Sequence, residues 1–145
     1  MTPDREKDEA AVKKWVETYL DLAENGDERW FKLWADDAIM LPPNMRPVKG
    51  IDAIKEFMGP GFGKFDLVHD KRYLEIKTDT SIAFVSWSSN DKTTPKEGGK
   101  TIEKENKCIW ILRREPDDKW KATHCIWSPN QPPDDDPSYV YDFNS

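Results

Sequence analysis

The sequence predicts an α+β domain: helices come first, and a curved antiparallel sheet follows. Two observations predict it. Apolar residues recur at three- and four-residue steps over residues 12–23, the period of a helix. From Phe65 onward the pattern changes to long strand-like runs that end in a hairpin.

Each element follows in order. Thr2-Pro3 offers a cap and a first-turn proline, and Val12, Trp15, Val16, Tyr19, Leu22 and Ala23 form one helical face. Asn25-Gly26 supplies a left-handed exit. Asp27 caps a short second helix carrying Trp30, Phe31, Leu33 and Trp34. The run DDAIMLPPNMRPVKG (36–50) starts as an apolar strand and stops at Pro42-Pro43, neither of which can donate to a ladder. Its mixture of Ile39, Met40, Leu41 and Met45 with irregular backbone suits a concave apolar wall. A third helix follows Gly50, with Ile51, Ile54, Phe57 and Met58 on one face. Strands are expected over 65–76, 81–88, 101–114 and 119–128, with Asn90–Lys100 as a polar loop. The domain spans 1–130, and 131–145 is an extended tail rich in proline and aspartate.

Composition excludes several functions. With 145 residues the chain builds one domain with a real core. Its 28 acids outnumber 22 interleaved bases, so nucleic acid is not an expected partner. No apolar run approaches the ~20 residues of a membrane span. The polar N-terminus is not a secretory signal, and two cysteines make no disulfide framework. A cytoplasmic protein is expected. Seven tryptophans suit a core, a ligand pocket or an interface.

The last two strands flank Glu115-Pro116-Asp117-Asp118, a four-residue turn. Symmetry about this turn sets Arg114 against Lys119, Trp110 against Thr123 and Cys108 against Cys125. One face then carries Asn106, Cys108, Trp110, Leu112, Thr123, Cys125 and Trp127. The other carries Ile109, Ile111, Trp120, Ala122, His124 and Ile126. Both faces are apolar, so a second subunit is expected to cover the outer one. A bulge near Pro116 would exchange the two sets.

Asn25-Gly26-Asp27, Trp34-Ala35-Asp36-Asp37-Ala38, Leu41-Pro42-Pro43 and Val48-Lys49-Gly50-Ile51-Asp52-Ala53-Ile54 carry a family likeness. Trp120-Lys121 and Ile126-Trp127-Ser128-Pro129 complete it. Over roughly residues 8–130 the chain resembles the nuclear transport factor 2-like superfamily. Within it, the chain is most similar to SnoaL-like proteins related to ketosteroid isomerases and polyketide cyclases. The resemblance implies a cone: a curved sheet wraps the long first helix, an apolar pocket opens at one end, and the outer sheet face pairs with a second copy. Ketosteroid isomerases use a tyrosine on the first helix, where Tyr19 falls. Their carboxylate base falls at Pro42 and their late-strand acid near Cys108, so a faithful ketosteroid isomerase is not expected.

Two readings stand for Tyr19: a phenol donor to a ligand oxygen, or a core tyrosine in line with Val12, Trp15 and Val16. His124 has the chemistry of a general base, but the hairpin turns it toward the outer face. His69 and Asp70 are adjacent on a strand and so point apart. Cys108 and Cys125 are expected as buried packing thiols, although opposed strand positions are close enough for a disulfide. Asp36-Asp37 read as solvated acids at the exit of the second helix. Residues 59–63 (GPGFG) read as a helix-to-strand connection in preference to a lid.

The expected pocket wall is Trp15, Tyr19, Trp34, Met40, Leu41, Met45, Phe57, Asn106, Cys108, Trp110, Thr123, Cys125 and Trp127. It is expected to take a small apolar, oxygen-bearing molecule without metal or cofactor. The chemistry implied is proton transfer of isomerase, dehydratase or cyclase type. The rival expectation is a non-catalytic association module whose side chains fill the pocket. A volume of roughly 300 Å³ or more would favour the ligand.

Overall fold

The computed structural model describes residues 3–130; the C-terminal tail expected over 131–145, and Thr2, lie outside the described residues. Helix α1 (Pro3–Glu24) leads into a short 3-10 helix (Glu28–Leu33) and strand β1 (Trp34–Leu41). Strand β2 (Val48–Lys49), helix α2 (Ile51–Met58) and the long strands β3 (Phe65–Asp79), β4 (Ile82–Pro95), β5 (Ile102–Arg114) and β6 (Trp120–Pro129) follow. The strands form one sheet in the order β2-β1-β6-β5-β4-β3. The architecture is the expected α+β one, in which a curved sheet packs its inner face on α1.

Local differences from the expected elements have physical reasons. The second helix is a short 3-10 helix of 6 residues capped by Asp27, whose side chain accepts from the Arg29 N–H. Trp34 leaves it to start β1, because β6 offers a parallel neighbour that pairs Trp34 with Ala122. That pair makes the sheet mixed where a fully antiparallel one was expected. Asp36 and Asp37 therefore sit on a strand and not in a turn, but both are solvent-exposed. Pro42 and Pro43 end β1, and Asn44 turns the chain in the left-handed region (φ 60°) so that β2 pairs back on Ile39 and Met40.

Strand β4 runs to Pro95, six residues into the expected polar loop. Residues Asn90–Thr93 pair on both sides, with Val68–Asp70 and neighbouring residues of β3 and with Ile102–Glu105 of β5. Two complete ladders outweigh the low strand propensity of this polar stretch.

The β5–β6 hairpin corrects the symmetric register. Glu115 N–H donates to Lys119 O, and Asp118 is left-handed (φ 65°), so the loop is Pro116–Asp118 with an αL residue at its end. Arg114 consequently faces Trp120 and Leu112 faces Ala122. This one-residue slip brings Trp120 and Ala122, expected outside, into the core. Thr123 is then an extra residue: Leu112 pairs with Ala122 and Ile111 with His124. The bulge restores the inward phase for Cys125 and Trp127. Cys108 now opposes Trp127, and Cys125 opposes Trp110, so the two thiols are not directly paired.

Inside, Val12, Trp15 and Val16 of α1 meet Val85, Trp110 and Leu112 of the sheet in one buried cluster. Tyr19 stacks on Trp15 (centroids 5.6 Å, 14° between planes) and meets Trp110 edge-on at 4.7 Å. Such aromatic pairs add about 0.5–1.5 kcal/mol beyond their area burial. The left-handed Gly26 at the exit of α1 (φ 61°) lies so close to Gly63 that a Cβ would come within 2.7 Å of the Gly63 Cα. Phe62 packs on Trp30 and Phe31 with centroids 5.4 and 5.0 Å away. The GPGFG segment is therefore an anchored connection.

Candidate functional site

Along β4 the inward positions read Ala83, Val85, Trp87, Ser89 and Asp91, and along β5 Leu112, Trp110, Cys108 and Asn106. The inner surface thus passes from aliphatic through aromatic to polar as the strands run away from the packed end. Where it changes lies a half-enclosed cavity of about 170 Å³. This is below the roughly 300 Å³ expected of a typical ligand pocket, yet the side chains of the described residues do not fill it.

Eight residues of the expected wall line this cavity: Tyr19, Trp34, Met40, Asn106, Cys108, Trp110, Cys125 and Trp127. Five do not. Trp15 lies one helical turn deeper than Tyr19 and is core, 6% exposed. Leu41 follows Met40 on β1 and so turns to the other face. Met45 is 49% exposed in the loop beyond the prolines. Phe57 is 38% exposed, because Ile54 is buried one turn earlier and Met58, one residue further round, reaches the cavity instead. Thr123 is the bulge residue, and its hydroxyl donates to Ile111 O at 3.2 Å.

The polar end holds a pairing that the sequence reading missed, since it weighed His69 only with Asp70 and left Asp91 in a loop. His69 of β3 and Asp91 of β4 are cross-strand partners, and both line the cavity. The Asn106 side-chain amide donates to Asp91 Oδ2 at 2.7 Å. Asp91 Oδ1 is buried with no hydrogen-bond partner among the described residues. Glu24, the last residue of α1, holds His69 twice through Oε1: it accepts the His69 backbone N–H at 3.2 Å and lies 3.2 Å from Nδ1. Asp70 turns outward to Arg72 at 3.6 Å. The signal for this site was the strand partnership, visible only once β4 is carried through Asp91.

Burial raises the Tyr19 hydroxyl well above its ordinary value, and the nearby Cys125, Cys108 and Asp91 add to the effect. Tyr19 is therefore a phenol, a donor, at any physiological pH. Burial likewise pushes the Cys108 thiol up to about 12, partly offset by the Trp110 indole N–H that donates to its Sγ at 3.3 Å. Cys125 is raised by burial and by Cys108. Both cysteines are free thiols, and neither is activated as a nucleophile.

His124 lies on the outer face, exposed, opposite Ile111 of β5 and Ile39 of β1. Its Nδ1 is 3.0 Å from Thr123 Oγ1. The partner is Ile111 where Ile109 was expected, a shift of two that leaves the face unchanged. Around it, Ile109, Ile111 and Ile126 are 38–50% exposed. Among the described residues there is no group of three or more His, Cys, Asp and Glu that could hold a metal ion. Among them, too, no helix is long and apolar enough to cross a membrane.

This geometry sits in a known architecture. The chain belongs to the SnoaL-like domain family, whose model matches residues 4–126. No curated protein matches. Solved structures share the fold. A ketosteroid isomerase-like protein from Erwinia carotovora atroseptica is 19% identical over 86% of this chain and 97% of its own, with a TM-score of 0.72. A Novosphingobium aromaticivorans protein provisionally named a scytalone dehydratase is 17% identical over 90% of this chain and 89% of its own, TM-score 0.79. A Catenulispora acidiphila protein in complex with S-DNPA is 16% identical over 83% of this chain and 92% of its own, TM-score 0.67.

Proposed function

We propose that this chain is a small-molecule enzyme that moves a proton on an apolar, oxygen-bearing ligand, with chemistry of isomerase, dehydratase or cyclase type. The observation that carries the reading is Asp91. A carboxylate with one oxygen held by Asn106 and the other buried without a partner among the described residues is costly unless a ligand uses it. His69 stands beside it, oriented through Nδ1 by Glu24, which leaves Nε2 for the ligand. In an isomerisation, one of this pair takes the proton from a carbon next to a carbonyl. The bonding electrons pass into the enolate, whose oxygen a donor such as Tyr19 stabilises. The proton returns to another carbon, so nothing is oxidised or reduced. The ligand-bound and isomerase- or dehydratase-named relatives support the class of activity by analogy of fold alone.

The half-enclosed form of the cavity supports a ligand over the filled association module, while its volume of about 170 Å³ falls below the roughly 300 Å³ set for that reading. Ile109, Ile111 and Ile126 support a second copy on the outer face.

The test is solvent deuterium incorporation into 2-tetralone, an enolisable ring ketone, followed by NMR. The wild type is expected to exchange the α-protons above the buffer rate, and His69→Gln to lose roughly 10²–10⁴-fold of that excess. Equal exchange by wild type and variant contradicts the assignment.

A further inference from the structure

The shape and charge of the cavity go further and, resting on the ligand-binding part of that reading, select the ligand. We infer that the cavity takes a flat, uncharged compound of one or two fused rings with an oxygen on its edge, and shuts out four-ring and anionic ligands.

Size is the first ground. The free volume of about 170 Å³ is close to the ~150 Å³ engineered cavity that holds one benzene ring. A four-ring nucleus has about three times the carbon of that guest. The half-enclosed form leaves a second ring to lie toward the mouth.

The walls are the second ground. Trp30, Trp34, Trp87, Trp110, Trp127 and Tyr19 all border the space. Trp87 and Trp110 lie nearly parallel, 13° apart with centroids at 5.7 Å, and Trp34 braces Trp110 at 5.1 Å. Rings that hold one another this way cannot swing aside to enlarge the space, and they present flat, polarisable surface to a flat guest.

Charge is the third. Among the described residues no lysine or arginine lines the cavity, so a carboxylate or phosphate would lose its water and meet no permanently charged cation there. It would also meet the Asp91 carboxylate. The polar groups His69, Ser89, Asp91 and Asn106 occupy adjacent positions on β3, β4 and β5. A guest therefore places its polar edge there and its ring among the tryptophans.

The experiment titrates the full chain with 2-naphthol, 2-naphthoate and equilenin, read by tryptophan fluorescence and by calorimetry. Equilenin carries the naphthol unit inside a four-ring steroid and so isolates size; naphthoate isolates charge. 2-Naphthol is expected to bind and quench, and the other two to bind roughly tenfold more weakly or worse. Ser89→Leu, which fills the polar end, is expected to weaken naphthol by a similar factor; should that variant not fold, the three wild-type titrations decide alone. Equilenin or naphthoate binding as tightly as naphthol, or no naphthol binding, overturns the inference. Naphthol binding without 2-tetralone exchange sustains it and removes the proton-transfer reading. Exchange of 2-tetralone with tighter binding of equilenin does the reverse.

Discussion

Replacing Asp91 by asparagine separates a functional carboxylate from a structural one. In the native chain Asp91 Oδ2 accepts from Asn106, while Oδ1 is buried without a partner among the described residues. The asparagine carbonyl keeps the bond to Asn106, and a neutral amide takes the place of the unpaired carboxylate oxygen. Leaving a buried charged acceptor unpaired costs more than leaving a neutral group so, and the difference is about 1–2 kcal/mol in favour of the variant. For 145 residues this is a rise of roughly 3–6 °C in melting temperature. The same change removes a proton acceptor, so exchange of 2-tetralone falls by roughly 10²–10⁴-fold. Differential scanning calorimetry and NMR exchange on one preparation read both. A variant that is less stable and exchanges at the wild-type rate would refute the reasoning, because Asp91 would then be a structural group.

Other perturbations test the fold and its surfaces. Leu112→Ala, at a fully buried position, is expected to cost about 2–5 kcal/mol by urea denaturation. Alkaline pH should destabilise the protein. The folded Cys108, Cys125 and Tyr19 hold their protons above the unfolded values of 9.0 and 10.0. The unfolded chain therefore ionises first, and stability is present below pH 9 and falls above it, by about 1.4 kcal/mol per pH unit for each such group. At pH 8 a thiol reagent should label both cysteines slowly in the native protein and at once in urea; rapid native labelling would contradict their burial. Ile126→Glu, on the outer face, is expected to convert a dimer to monomer by analytical ultracentrifugation, with the melting curve still cooperative.

The fold was legible because its signals are local. The helical face of α1, the Asn25-Gly26 exit and the Pro42-Pro43 stop each follow from a few neighbouring residues. The inner wall was legible where strand alternation could be counted along one strand, as for Cys108 and Trp110; Cys125 and Trp127 fell on the right face because two register errors cancelled. Trp120 and Ala122 went to the wrong face because one left-handed residue, Asp118, lengthened the turn. Thr123 then reversed the error beyond it. The acid–base pair was hidden for another reason. Asn90–Thr94 has the composition of a loop, and only its two ladders, to segments 20 or so residues before it and a dozen after it, make it a strand. Without that strand, His69 has no carboxylate opposite it.

The most direct test of the central claim is a crystal structure of the full chain with 2-tetralone. The account predicts the ring among Trp34, Trp87 and Trp110, with its carbonyl oxygen within hydrogen-bond reach of Tyr19 or His69 and an α-carbon beside Asp91. A ketone seated on the outer sheet face, or turned with its oxygen out of reach of both Tyr19 and His69, would contradict it.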